Sequence, residues 1–266
     1  MTEKTKDEIL RDMTYSFSSA SSYDTCKHMF MLNYIKKEKQ TQNGFAIFGS
    51  YVHSCIEGYF KGKIDGWDLA EYYKEHYDEN VNVPFPAYPP GMAESYYKSG
   101  LLFFENFEFD RDNYEVLNIE EKVVHEENGV KLVVKPDLVL KDKKTGECTL
   151  VDYKTAKLKG GKKDVELLAK YKKQFLLYAK YLFQVSNIEI KYIKIWFIRD
   201  QKVVEIPIDV FEVEEVSEWF FSTIDKIKKE EEWTPNLSES NKYFCQNICG
   251  FGKTVCKYVN PDANIA

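Results

Sequence analysis

The sequence predicts an α/β protein: a central mixed sheet flanked by helices, preceded by an N-terminal helical region and closed by a cysteine-rich tail. Three observations carry this. Residues 115–208 hold β-branched and aliphatic runs with two-residue alternation, and one long amphipathic helical pattern over 164–183 interrupts them. Residues 15–109 instead place aromatic and aliphatic side chains three and four apart, the spacing of a helix face. Three of the six cysteines, Cys245, Cys249 and Cys256, crowd the C-terminal end. We read one domain, with a helical region over 13–112, a core over 113–210, and a closing helix and tail over 211–266.

Composition narrows the class. A chain of 266 residues can bury a substantial core, and 15% aromatic content argues against disorder. The net charge of −6 decides nothing about nucleic acid, because an acidic protein can carry a local basic groove. No apolar run reaches the length of a membrane span and the start is charged, so the expected location is cytoplasmic, away from membranes. In that compartment cysteines serve metal binding or plain burial rather than disulfides.

Taken in order, residues 1–12 are polar and predict a frayed start. Ser16, Ser18 and Ser19 offer capping hydroxyls to a helix whose stripe is Tyr23, Cys26, Phe30 and Tyr34. A second helix spans 44–61, with His53 and Glu57 four apart on one face. Helical patterns over 65–78 and 92–109 flank a proline-rich loop. Residues 115–125 alternate as a strand, Asn128-Gly129 marks a hairpin, and 130–140 returns. A turn at 143–146 leads to a strand over 148–154. The long helix, strands over 191–198 and 203–208, and a closing helix over 211–231 follow. The tail from Trp233 reads as loop.

The chemistry concentrates on two of those strands. Alternation sends Asp152 and Lys154 to one face. If the strand over 130–140 pairs with theirs, Asp137 reaches the same pocket. Two carboxylates suit a hard cation such as Mg²⁺ or Mn²⁺, and an amine beside them can stabilise charge developing on a phosphate. That is the chemistry of phosphodiester hydrolysis, although three such residues are more often a solvated face with a surface ion pair. His53 alone would more often be structural. Gln174 and Tyr178 share a face of the long helix, where Tyr178 could be core. The lysines at 157, 159, 162 and 163 surround Gly160-Gly161. They read as a solvated loop by composition and as a phosphate-contacting flap by position. Cys26 with Cys245, Cys249 and Cys256 makes a four-thiolate set suited to a [4Fe–4S] cluster or to tetrahedral zinc, whereas Cys55 and Cys148 read as buried hydrophobes.

In chain order, Pro136-Asp137, Asp152-Tyr153-Lys154 and Gln174-x-x-x-Tyr178 resemble the PD-(D/E)XK nuclease superfamily, closest to its RecB-type branch. Gly49-x-x-x-His53 resembles the first motif of that branch, and residues 18–34 with Cys26 resemble the opening of its iron–sulfur members. The sequence departs from the pattern at Lys27, where proline is common. In the tail each gap between cysteines is one residue longer than usual. The resemblance covers residues 16–61 and 116–258. It implies a restriction-endonuclease-like core and a metal-dependent DNA exonuclease, with Asp137, Asp152 and Lys154 catalytic. His53 and the Tyr153 carbonyl would complete the shell of Mg²⁺ or Mn²⁺, and Glu120, Glu121 or Glu57 could join it. Lys157, Gln174 and Tyr178 would contact DNA. Cys26, Cys245, Cys249 and Cys256 would hold a [4Fe–4S] cluster, zinc being the alternative, and clip the tail to the first helix.

A lysine-lined channel whose aromatic residues stack on bases would favour single-stranded ends. No phosphate-binding Gly-x-x-x-x-Gly-Lys loop occurs, so unwinding would fall to a helicase, or to a recombination or annealing partner, in phage or bacterial DNA recombination, repair or processing. The rival readings are a catalytically silent nucleic-acid-binding or scaffold protein that kept the fold, and a structural zinc protein that binds no DNA.

Overall fold

The structure, a computed structural model, describes residues 4–87 and 89–261. In chain order the helices are α1 (Lys6–Asp12), α2 (Phe17–Thr25), α3 (Lys27–Phe30), α4 (Gly44–Phe60), α5 (Leu69–Asn80), α6 (Met92–Glu105), α7 (Lys162–Ser186), α8 (Val210–Lys229) and α9 (Lys242–Asn247). The strands are β1 (Tyr114–Ile119), β2 (Val123–Glu127), β3 (Val130–Val134), β4 (Leu138–Asp142), β5 (Cys148–Lys154), β6 (Ile190–Phe197) and β7 (Lys202–Pro207). The chain forms two compact units, residues 44–123 with 134–214, and residues 1–43 with 124–133 and 215–266.

The first of these units holds the expected mixed sheet, in the order β1-β4-β5-β6-β7. Only β5 and β6 run parallel, and α7 makes the crossover between them, as a parallel pair requires. Strand β5 is buried from Cys148 to Tyr153, the near-continuous burial of a strand covered on both faces. Its one charged residue in that run, Asp152, therefore sits where an unpaired carboxylate is costly. One side of the sheet packs on α4, α5 and α6 through a core that includes Phe48, Val52, Ile56, Tyr73, Phe104 and Val151. Gly100 of α6 lets the Tyr73 hydroxyl approach the helix backbone, where a Cβ would overlap it. Most aromatic side chains of the helical region, Tyr51, Tyr73 and Tyr77 among them, pack on one another in this core. They are not available to stack on bases, contrary to the channel expected above.

In the other unit, Ser16 caps α2 and forms a capping box with Ser19. The helix expected over the stripe Tyr23 to Tyr34 is broken. Cys26 is extended (φ −164°, ψ 111°) between α2 and α3, and a π-helical turn, Met31–Ile35, follows. The β2–β3 hairpin turns at Asn128 and Gly129, both at positive φ (54° and 70°), the two-residue turn that suits twisted strands. Tyr15 adds to its edge, donating its N–H to the Lys131 carbonyl at 2.8 Å.

Three further expectations are corrected. The start is not frayed from Lys4 onward: Thr5 and Glu8 close a capping box on α1, while residues 1–3 lie outside the described residues. The tail contains α9 rather than loop alone. The strands expected over 115–125 and 130–140 are each two. The first breaks at Glu120 (φ 56°), where the Asn118 side chain accepts the Glu121 N–H at 3.2 Å. The second breaks around Pro136, which has no N–H to give a ladder. The two breaks meet, since the Glu120 N–H donates to the Asp137 carbonyl at 3.1 Å. Both acidic side chains thereby leave the sheet at one point. Among the described residues no helix is long and apolar enough to cross a membrane.

Candidate active site

The site is built on β5 and the neighbouring break before β4. Asp152 and Lys154 project to one face as alternation requires, and Lys154 Nζ lies 2.6 Å from Asp152 Oδ2. The contact is close but poorly aligned, so Asp152 Oδ2 is buried without a well-formed hydrogen bond. Asp137 precedes β4, whose Leu138 pairs with Val151, and its Oδ2 accepts the Tyr153 N–H at 3.1 Å. That bond brings the carboxylates of two strands together.

His53 reaches the cluster from α4. Its Nε2 lies 2.9 Å from the Tyr153 carbonyl, and a carbonyl only accepts, so Nε2 carries the proton. Nδ1 then faces the acids, 3.4 Å from Asp137 Oδ2 and 3.8 Å from Glu120 Oε1. A metal-bound histidine typically spends its second nitrogen on a backbone carbonyl in this way. His53, Glu120 and Asp137 each present a ligand atom within 4.8 Å of the others. The Tyr153 carbonyl, expected in the metal shell, is used to orient His53. Of the acids left open by the sequence, Glu120 joins the site and pairs with Lys135, Glu121 is exposed, and Glu57 pairs with Lys61 at 2.5 Å.

The electrostatics express crowding. Burial first, and the Asp152 charge second, push the Asp137 carboxyl up to about 7. Burial opposes the charged form of His53, but Glu120, Asp137 and Asp152 outweigh it and raise its pKa. Lys154 is likewise raised against its burial by Asp152 and Asp137. Burial works against ionisation of Glu120, yet His53 and Lys135 hold it below the usual carboxylate range. An excess of largely buried acid around a histidine nitrogen is a donor set for a hard divalent cation, which would take the place of the protons held there.

Helix α7 walls the lysine side. The rings of Tyr171 and Phe175 lie 4.9 and 5.4 Å from Lys154 Nζ. Tyr178 is buried and its hydroxyl accepts from Gln174 Nε2 at 2.9 Å, so this predicted pair is joined internally. Lys157 is exposed on the loop after β5, and that loop is tied down at both ends. Asp200 accepts the Leu158 N–H at 2.6 Å, and Asp164 accepts those of Lys159 and Gly160 at 2.8 Å each. The turn needs its glycines, with Gly160 and Gly161 at φ 86° and 74°. Arg199, which sequence reasoning passed over, stacks 3.7 Å above the Tyr96 ring next to the anchoring Asp200.

In the unit formed by the chain's two ends, Cys26, Cys245, Cys249 and Cys256 line one small cavity, with apolar Met29 and Leu32. Burial pushes the Cys245 and Cys249 thiols up, while N–H groups of Phe251 and Gly252 pull Cys249 back. Four sulfurs around one tetrahedral zinc, at its usual bond length, would lie about 3.8 Å apart. Among the described residues no three of these sulfurs come within 4.8 Å of one another. Cys55 and Cys148 are buried elsewhere, as expected.

Residues 14–257 match the family model of the PD-(D/E)XK nuclease superfamily. Among solved structures the chain is similar to a Eubacterium rectale protein provisionally named an exonuclease. The identity is 15%, the match covers 91% of this chain and 93% of that one, and the TM-score is 0.53. At that identity the likeness concerns the fold. No curated protein matches.

Proposed function

The chain belongs to the PD-(D/E)XK nuclease superfamily, and we propose that it is a divalent-metal-dependent DNA exonuclease of the RecB type. The observation that carries this reading is the gathering of Asp137, Glu120 and His53 Nδ1 at one half-buried point, with the buried Asp152 and its partner Lys154 beside them. Asp137, Glu120 and His53 would hold Mg²⁺ or Mn²⁺, with Asp152 supplying a further oxygen. When bound, the ion would lower the pKa of an attacking water and neutralise charge on the scissile phosphate. Lys154, held protonated by its acidic neighbours, would stabilise charge developing on the phosphate oxygens. The Tyr153 amide and carbonyl fix Asp137 and His53 in place.

Substrate contact falls to α7 and the anchored loop. Exposed Lys157 would meet backbone phosphates, and Gln174, bridged to Tyr178, would hold a strand near the acids. The buried aromatics remove base stacking as the reason for single-strand preference, so that preference rests on the loop and one helix alone. The four cysteines would carry a [4Fe–4S] cluster that staples the chain's ends. Helicase or recombination partners and a role in DNA processing follow as part of the same proposal.

Labelled linear single strands, circular single strands and blunt duplex, each incubated with Mn²⁺, test the exonuclease reading. Linear single strands should shorten fastest and circles should survive. Rapid cutting of circles would make the enzyme an endonuclease instead.

A further inference from the structure

Besides its four sulfurs, the cavity between the chain's ends has a nitrogen in its wall. His28 is only 7% exposed and lines the same cavity as the cysteines. Its Nε2 is buried without a hydrogen-bond partner. The ring is held from two other sides. The Tyr258 ring meets it edge-on at 5.0 Å, and the Trp233 backbone hydrogen-bonds to it. Since Nε2 is unpaired, that bond belongs to Nδ1. With its proton on Nδ1 the neutral ring keeps a lone pair on Nε2.

A buried acceptor left without a partner is destabilising, and the apolar side chains of the lining, Met29, Leu32 and Phe251 among them, offer it no donor. A lone pair fixed by a bond from the opposite nitrogen to a carbonyl is how histidine is usually presented to a metal. Cys26, two residues earlier, already accepts the Asn236 N–H at 3.5 Å. The N-terminal segment thus supplies two donors, and the tail three, to a centre with four positions.

We propose that His28 is a nitrogen donor of this centre, able to take the coordination position that Cys26 supplies. The inference rests on reading the four cysteines as a metal centre, and the experiment separates the two. The full chain, Cys26→Ala, His28→Ala and the double variant would be purified without oxygen and assayed for iron and zinc. Circular dichroism would confirm that each variant folds. Wild-type protein holding neither metal would overturn the centre itself, whatever His28 does.

With metal present in the wild type, Cys26→Ala should keep most of it and the double variant should lose it. After dithionite reduction, iron-loaded Cys26→Ala carrying ¹⁵N-histidine should give a nitrogen coupling in pulsed EPR. Were the metal zinc, X-ray absorption should instead find one nitrogen at about 2.0–2.1 Å. His28→Ala alone should release metal to a chelator severalfold faster than wild type. Folded Cys26→Ala as empty as the double variant, or loaded but without nitrogen coordination, would show that His28 is a core residue only. Unchanged chelator release by His28→Ala would count equally against it.

Discussion

Replacing Asp137 by Asn should make the metal-free protein more stable while destroying its activity. In the free carboxylic acid the ordinary pKa is 3.8, and the folded protein raises it to about 7 through burial and the Asp152 charge. At about 1.4 kcal/mol per pH unit, ionising Asp137 in the fold costs about 4 kcal/mol at pH 8. A group raised in the folded state loses stability as pH climbs from its unfolded to its folded pKa, so the cost accumulates between about 4 and 7. Asn is neutral throughout and can still accept the Tyr153 N–H that Asp137 now accepts at 3.1 Å. In EDTA at pH 8, urea melts should therefore show Asp137→Asn more stable by up to about 4 kcal/mol. The advantage should shrink to under about 2 kcal/mol at pH 5, where folded Asp137 is protonated. Adding Mn²⁺ should stabilise wild type and leave the variant unchanged. A variant less stable than wild type at pH 8 in EDTA would refute the claim that uncompensated acid is stored at this point.

Three other outcomes follow from the same geometry. Divalent-metal affinity, measured by calorimetry, should fall at least about tenfold per pH unit below 7, because binding must displace the proton that Asp137 holds as well as any on His53; affinity flat from pH 5 to 8 would contradict it. Lys154→Ala should lower cleavage about 100- to 1000-fold with Mn²⁺ binding retained, as for the loss of one charge-stabilising donor. Tyr178→Phe removes the hydroxyl that Gln174 engages at 2.9 Å. It should weaken DNA binding in fluorescence titrations without altering metal affinity, and a loss of metal binding would show the pair to be structural support.

Much of this arrangement is legible in the residues themselves. Two-residue alternation alone places Asp152 and Lys154 together, Asn128-Gly129 declares its turn, and Ser16 its cap. The gathering of Cys26 with the tail cysteines also follows from type and spacing. What pattern cannot provide is the pair of strand breaks. Whether Glu120 or Glu121 enters the site depends on a positive φ at Glu120, a conformation with no local sequence signal in a non-glycine residue. Pro136 was a signal for the other break, since it cannot continue a ladder. Thr5-x-x-Glu8 similarly announced α1. The aromatic helices show the limit of periodicity: a stripe at helical spacing marks a face, and only tertiary packing decides whether that face meets a core or a substrate. The tethering of the lysine loop by Asp164 and Asp200 joins residues up to 42 apart in sequence and is visible only in the fold.

The central claim is that Asp137, Asp152 and their neighbours form a metal-dependent phosphodiesterase centre. Cleavage of a labelled single-stranded oligonucleotide in Mn²⁺, Mg²⁺ or EDTA, by wild type and by Asp152→Ala, tests it most directly. Cleavage is expected with either metal, none in EDTA, and a loss of orders of magnitude in a folded Asp152→Ala protein. Undiminished cleavage by that variant, or activity that persists in EDTA, would contradict it.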